Sequence, residues 1–385
     1  EKVLPAPEDY EQLVTASAEV EVGDEVAEED LAGLFYTGGT TGKPKGVMLT
    51  HRNLVANAFH MSIGAGYGEA DTFLHAAPMF HLADGSSIYA LTWLGARHVF
   101  LPAFDPAATL DLIGRERVTC TILVPTMINA VVHHPQVAEA DLRSLRLILH
   151  GGAPIAAELL RRAVTTLGCS FTQAYGLTET SSLAAMLPRE ERLLDDGRSR
   201  SAGRAVMGLE LAVRRPDGAE CPPGEVGEVT ARGPNVTSGY WNQPEQTAEA
   251  LRDGWLWTGD LGRADHEGYL YLVDRRKDVI ISGGENVYSV EVEAAVCAHP
   301  AVQEAAVIGV PDETWGERVH AVVVVRPGHT LDVAGLLAFC KERIAGYKCP
   351  RSMEVLAALP KSGAGKVLKR ELRAQHWPDQ ERQVH

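Results

Sequence analysis

Thr37-Gly38-Gly39-Thr40-Thr41-Gly42-Lys43-Pro44-Lys45-Gly46 is the stretch on which the reading of this chain turns. It follows the apolar run Leu31–Thr37 (LAGLFYT), which reads as a buried strand. Four glycines, three threonines and two lysines on a loop after a strand offer N–H groups, hydroxyls and ammoniums. That is the donor set a polyphosphate takes. It is not a P-loop of the GxxxxGK[ST] kind, because Pro44 follows Lys43 and no helix starts there as that motif requires. The plainer alternative is a flexible Gly/Thr-rich hairpin loop.

Outward from this loop, short apolar runs alternate with amphipathic stretches. The spacing predicts strands over 72–77, 96–101, 120–124, 145–149 and 170–174, and helices over 52–63, 106–115, 126–133 and 155–167. Such alternation marks βαβ units around a largely parallel sheet. Near Gly197 the texture changes to short strands punctuated by Gly/Pro turns (216–218, 222–228, 232–235), an antiparallel barrel or meander. Past Asp274, a helix over 287–298, strands over 305–310 and 320–325, a helix over 333–344 and a basic tail make a compact α+β unit.

Of 385 residues, 45% are hydrophobic and 23% charged, which excludes a disordered or fibrous protein. The net charge is −15, and residues 1–30 alone hold eleven acids against one lysine. So acidic a chain is poorly suited to non-specific nucleic-acid binding. The six cysteines are scattered with no CxxC pair, which points to a reducing compartment without structural zinc or disulfides. No apolar run approaches the roughly 18 residues of a membrane span, and no signal peptide is visible, so a cytoplasmic location is expected. Position 1 is Glu and the acidic opening reads as linker, as expected for the C-terminal part of a longer polypeptide.

Further segments carry chemistry of their own: Pro78-Met79-Phe80-His81, Gly151-Gly152-Ala153-Pro154, Tyr175-Gly176-Leu177-Thr178-Glu179-Thr180, Trp257-Thr258-Gly259-Asp260, Asp274-Arg275-Arg276-Lys277-Asp278, Ser282-Gly283-Gly284-Glu285-Asn286, and residues 360–366 ending in Lys366. Tyr175-Gly176 closes a strand, where an exposed ring stacks on a base and Gly admits it to the backbone; a core aromatic is the alternative. Thr178 offers a hydroxyl and Glu179 a hard carboxylate oxygen suited to Mg²⁺, although such a pair alone reads as a helix cap. Asp260 follows a Thr-Gly turn as an acceptor for two hydroxyls, or as a turn-capping aspartate. Arg275, Arg276 and Lys277 alone read as a solvated face, and Lys366 as a surface lysine. Asp84 reads as a helix-cap residue near Gly85, with the acid pocket within its reach.

In this order the segments resemble the acyl-activating, adenylate-forming superfamily of acyl-CoA synthetases, amino-acid adenylation domains and beetle luciferases. The likeness runs from about residue 31 to 375, and the family's opening segment is missing. It implies a large N-terminal α/β domain over 1–276, with mostly parallel sheets flanked by helices and a barrel-like part about 197–275. A small mobile α+β domain over 277–385 follows. The resemblance assigns the phosphates to Thr37, Gly38, Gly39, Thr40, Thr41, Gly42 and Lys45. It assigns adenine to Gly152, Ala153, Pro154, Tyr175 and Gly176, the ribose to Asp260 and Arg275, and Mg²⁺ to Glu179. Thr178 meets the α-phosphate, Lys366 is the catalytic lysine, and Lys277 is the pivot of the small domain. Gly283, Gly284, Glu285 and Asn286 form the CoA side. His81, where amino-acid-activating members carry Asp, is the gate between acid pocket and thiol tunnel, with a core histidine at a helix start as the plainer reading.

The expected activity is an AMP-forming carboxylate–CoA ligase using ATP, Mg²⁺ and coenzyme A. Segments 82–87 and 181–186, small or apolar, are expected to line a pocket for a fatty or other acyl acid. Alternatives are an aryl acid, loading of a carrier protein, a luciferase-type oxygenase, and an inactive fragment or scaffold. Expected partners are a small-molecule carboxylic acid, ATP and CoA, with self-association into a homo-oligomer left open, and neither nucleic acid nor an integral membrane segment.

Overall fold

Seven strands make the principal sheet of the structure, a computed structural model that describes residues 7–18, 25–37, 44–153, 155–187, 197–362 and 367–377. Across the sheet they run Arg97–Phe100, Thr72–His75, Cys120–Ile122, Leu147–Gly151, Ser170–Tyr175, Ala185–Leu187 and Arg204–Ala205. Pairing is parallel through the first five and antiparallel for the last two. Side chains alternate between two cores. Phe73, Ile122, Leu147 and Leu149 enter one; Leu74, Ile148 and Phe171 enter the other. Burial on both faces explains the apolar run at the centre of the sheet, Leu147–Leu149, whereas the edge strand Arg97–Phe100 is partly exposed and more polar. Helices His51–Ala65 and Leu82–Trp93 cover the first core, and Pro106–Arg115, Pro125–Val132 and Ala157–Leu167 the second. Asp105 starts one of them by accepting from the Ala108 N–H ahead of Pro106, a polar cap with proline in the first turn.

A three-stranded antiparallel sheet joins Leu31–Thr37, Lys45–Thr50 and Gly239–Tyr240. Glu210–Arg214, Gly227–Arg232, Trp255–Ala264 and Leu251–Arg252 form an antiparallel sheet, with Leu270–Arg275 also paired to Trp255–Ala264. The predicted meander is this sheet. The smaller C-terminal domain is built on the hairpin Val302–Asp312 and Gly316–Val325, flanked by Ile280–Ser282 and the parallel strand Ser352–Val355. Helices Ser289–Cys297 and Val333–Lys341 pack on one face and Lys369–Ala374 on the other. The whole is a mixed α/β fold with a large N-terminal part.

Three expectations change. Leu31–Thr37 is half-exposed rather than buried, and it pairs antiparallel with Lys45–Thr50, with Thr37 opposite Lys45. The acidic lead, read as linker, carries the helix Pro7–Ala16. Leu82–Trp93 was not among the predicted helices. Gly85, Ser86, Ser87 and the β-branched Ile88 and Thr92 are weak helix formers, and burial of its first two turns overrides them. Among the described residues no helix is long and apolar enough to cross a membrane.

Candidate active site

The three sheets of the large part each deliver one piece of the site. Strands Leu147–Gly151 and Ser170–Tyr175 end side by side, with Gly151 opposite Ala174. The carboxyl ends of adjacent parallel strands are where open α/β sheets bind ligands. Gly152 and Ala153 are exposed on the turn beyond, while Tyr175 is 8% exposed. The ring is therefore buried rather than exposed, and its hydroxyl donates to Asp260 Oδ2 at 2.9 Å. Burial, with Asp260 beside it, pushes the phenol well above its ordinary pKa, so it remains a donor. Gly176 is required by the fold itself: a Cβ there would lie 2.0 Å from the Ser182 carbonyl oxygen.

Asp260 comes from the antiparallel sheet, directly opposite Arg275. Arg275 Nε stands 3.2 Å from Asp260 Oδ1, so both carboxylate oxygens are engaged in a residue only 7% exposed. The expected Thr-Gly turn is instead part of the strand Trp255–Ala264, with Gly259 at φ 74°, and is fixed by Glu228, which accepts the Gly259 N–H at 3.0 Å and pairs with Arg276 at 3.4 Å. A buried carboxylate locked by a phenol and a guanidinium is a rigid acceptor for a diol.

The third piece is a row of side chains. Lys45 Nζ sits 4.7 Å from the centre of the Tyr240 ring, and the Tyr240 hydroxyl donates to Glu179 Oε1 at 2.8 Å. Burial and the Glu179 carboxylate push the Tyr240 phenol up. The Glu179 carbonyl accepts the Thr237 N–H, so the turn Thr178–Thr180 is held against the strand that supplies Tyr240. Thr178 is half-buried on that turn. The turn ends in two non-glycine residues at positive φ, Ser181 at 55° and Ser182 at 109°, backbone strain of the kind that gathers at functional sites. Gly38, Gly39, Thr40, Thr41 and Gly42 lie outside the described residues, as do Pro154 and Lys366. What is described of the loop is its base, Thr37 and Lys45.

His81 begins the helix Leu82–Trp93, half-buried, its ring 4.7 Å from that of Phe80. Asp84 caps nothing. It is fully buried, 2.5 Å from His75 Nδ1, and accepts the Ala77 N–H. Burial raises its pKa while the hydrogen bond to His75 opposes the rise. His75 Nε2 meets His98 Nδ1 at 2.9 Å, so the pair extends along the sheet. Within the segments expected to line the acid pocket, Leu82, Ser86, Ser87, Ser181 and Leu183–Met186 are buried. A cavity of about 430 Å³, lined by Met48, Pro244, Thr247 and Leu251 among others, touches this site through Tyr240.

Lys277 sits half-buried in the turn Arg276–Asp278; burial lowers its ammonium pKa and Asp278 acts the other way. Around it, Asp274 accepts from the Ser289 N–H and Oγ, and Arg373 pairs with Asp278. Gly283 and Gly284 form a two-residue hairpin turn at φ 62° and 83°, presenting Glu285 and Asn286 to solvent. Tyr240, Glu228 and Ser289 were missed by sequence reading. Glu228 lay within a segment read as turns, and nothing local marks Tyr240 or Ser289.

Residues 2–241 match the AMP-binding enzyme family and residues 291–366 the AMP-binding enzyme C-terminal domain. A feruloyl-CoA synthase of Amycolatopsis sp is 45% identical over 346 residues, covering 90% of this chain and 70% of its own length. A long-chain-fatty-acid–CoA ligase of Bacillus subtilis is 40% identical over 353 residues, 90% of this chain and 62% of its own. O-succinylbenzoate coenzyme A synthetase from Bacillus subtilis, solved with ATP and magnesium ion, superposes with a TM-score of 0.84 at 36% identity, over 95% of this chain and 76% of that one. The chain belongs to the AMP-binding enzyme family, the adenylate-forming enzymes.

Proposed function

We infer that this protein is an AMP-forming carboxylate–CoA ligase, an ATP-dependent acid–thiol ligase. The observation that carries the reading is the locked Tyr175–Asp260–Arg275 cluster at the strand ends, with Lys45, Tyr240 and Glu179 in a row nearby. The first fits a ribose diol below an adenine held by Gly152, Ala153, Pro154, Tyr175 and Gly176. The second fits a polyphosphate cradled by Thr37, Gly38, Gly39, Thr40, Thr41, Gly42 and Lys45. Among the described residues Tyr240 is the one side chain hydrogen-bonded to the Glu179 carboxylate, at Oε1, which leaves Oε2 for Mg²⁺. When bound, Mg²⁺ supplies charge neutralisation on the phosphates.

In the first step the substrate carboxylate attacks the α-phosphorus and the bond to the bridging oxygen breaks. Pyrophosphate leaves and an acyl-adenylate remains. Thr178 is assigned to the α-phosphate, and Lys366, on its glycine-rich loop, to the charge that develops there. In the second step the CoA thiolate attacks the acyl carbon, and AMP departs with the carboxylate oxygen. We assign the change between steps to rotation of the small domain, residues 277–385, about Lys277, which withdraws Lys366 and brings up the face of Gly283, Gly284, Glu285 and Asn286. His81 gates the acid pocket, and its lack of negative charge favours an acid without an α-ammonium. Most of the rate enhancement is positioning and electrostatics.

The acid is proposed as a fatty or other acyl acid in a cytoplasmic enzyme. An aryl acid is the second reading, favoured by the 45% identity to the feruloyl-CoA synthase against 40% to the long-chain ligase. Pyrophosphate release over a panel of aliphatic acids of rising length and of benzoate- and cinnamate-type acids, with and without CoA, separates the two. Product formed on a carrier protein but never on CoA would overturn the ligase reading.

A further inference from the structure

Away from that site, three metal-ligand side chains converge on the small domain. His320 lies on Gly316–Val325 and Glu354 on the parallel strand Ser352–Val355. His320 is opposite Ser352, and Val322 opposite Glu354, so His320 and Glu354 share one face of the sheet. The helix Lys369–Ala374 packs on that face, and His376 follows it. Glu354 Oε2 is 3.9 Å from His320 Nε2 and 3.7 Å from His376 Nε2, and the three potential ligand atoms all lie within 4.8 Å of one another.

What raises this above a chance cluster is two orphaned atoms. His320 is only 5% exposed, and among the described residues neither its Nε2 nor that of His376, both buried, has a hydrogen-bond partner. Leaving a buried polar atom unpaired is costly, and a metal ion removes the cost at both nitrogens together. On its other side the His320 ring is fixed, with Nδ1 2.7 Å from Ser352 Oγ. An outer contact of this kind orients a metal-binding imidazole and leaves Nε2 with its lone pair. The neighbouring cation Arg318 bonds the same hydroxyl at 3.3 Å and leans to Asp312 at 3.7 Å.

We propose that His320, Glu354 and His376 form a site for one divalent transition-metal ion of the Zn²⁺ class, held by two imidazole nitrogens and one carboxylate oxygen with a fourth position open. Ligands about 2.0–2.2 Å from a tetrahedral ion stand roughly 3.3–3.6 Å apart, so the two Glu354 separations close by a few tenths of an ångström and the two imidazole nitrogens, within 4.8 Å of each other, by at most about 1.5 Å. Nitrogen-rich donors favour Zn²⁺ over the oxygen-seeking Mg²⁺ and Ca²⁺. The ion staples two adjacent strands to the segment just after the helix Lys369–Ala374. The ring it closes, from Glu354 to His376, contains the bridge between Lys361 and Val367 and so brackets the segment bearing Lys366. None of the three ligands belongs to the proposed active site.

The test uses the full chain, stripped with a chelator and titrated with Zn²⁺ in competition with a chromophoric chelator. One ion per chain is expected, with affinity falling at least ~30-fold in His376→Gln and in Glu354→Gln. Co²⁺ should give the visible bands of a four-coordinate site in the parent and not in either variant. Both variants should keep the parent circular dichroism spectrum and zinc-free pyrophosphate release, which separates ligand loss from misfolding and from failure of the ligase reading. Undiminished Zn²⁺ affinity in both variants, or no stoichiometric binding in the parent, overturns the proposal.

Discussion

Replacing Asp260 by Asn keeps its shape and removes its charge. In the parent, one oxygen accepts from the Tyr175 hydroxyl at 2.9 Å and the other faces Arg275 Nε at 3.2 Å, in a side chain 7% exposed. An amide supplies one oxygen and one NH₂, so with the oxygen turned to Arg275 the NH₂ faces the Tyr175 hydroxyl, which must change from donor to acceptor. The ribose, reading the same atoms, loses its charged acceptor. Hydrogen bonds to charged groups contribute about 1.5–3 kcal/mol. Loss of one such bond, softened by the half-exposed Arg275, should cost ATP about 2 kcal/mol, a rise in KM of ~30-fold with kcat changed far less. The assay is pyrophosphate release against ATP and against 2′-deoxy-ATP. In the parent the deoxy substrate should be much weaker; in Asp260→Asn that discrimination should shrink, because the group that reads the hydroxyl is gone. An unchanged ratio of the two substrates, whatever the rise in KM, would refute the ribose assignment and leave Asp260 a purely structural carboxylate.

Lys366→Ala should lower adenylation by ~100-fold or more while sparing thioester formation from supplied acyl-adenylate, and equal losses in both half-reactions would make the lysine structural. Glu179→Gln should shift the Mg²⁺ dependence of the first step to higher concentration, because an amide is a poor ligand for a hard cation; an unshifted titration would remove Glu179 from the metal site. Asp84→Ala strands the buried His75 and the Ala77 N–H. It should destabilise the large domain by about 3 kcal/mol in denaturant unfolding, with Asp84→Asn recovering much of the loss by keeping both hydrogen bonds. A neutral outcome for Asp84→Ala would show that the contact carries no stability.

The parallel sheet was legible because its central strands are buried on both faces, so apolar runs such as Leu147–Leu149 stand out. Helices with clear signals, such as Asp105-Pro106 before Pro106–Arg115, came out with their bounds intact. Leu82–Trp93 did not, since packing rather than propensity makes it helical, and Asp84 was misread with it. The ribose pair was legible only as two separate motifs; that Asp260 and Arg275 stand opposite each other is a matter of strand register. Tyr175 was expected to show its face to a base, whereas the buried ring also spends its hydroxyl on Asp260. Tyr240 was invisible because its role arises from a short bridge to Val47 that sets it between Lys45 and Glu179. Long-range contacts of this kind leave no local trace.

The central claim is that the carboxylate oxygen itself attacks the α-phosphorus. A carboxylic acid labelled with ¹⁸O in its carboxyl group, incubated with the full chain, MgATP and CoA, tests it by mass spectrometry of the products. The account predicts one ¹⁸O in the AMP phosphate for each acyl-CoA formed and none in pyrophosphate. Label appearing in orthophosphate with ADP as the nucleotide product, or unlabelled AMP beside acyl-CoA, would contradict it.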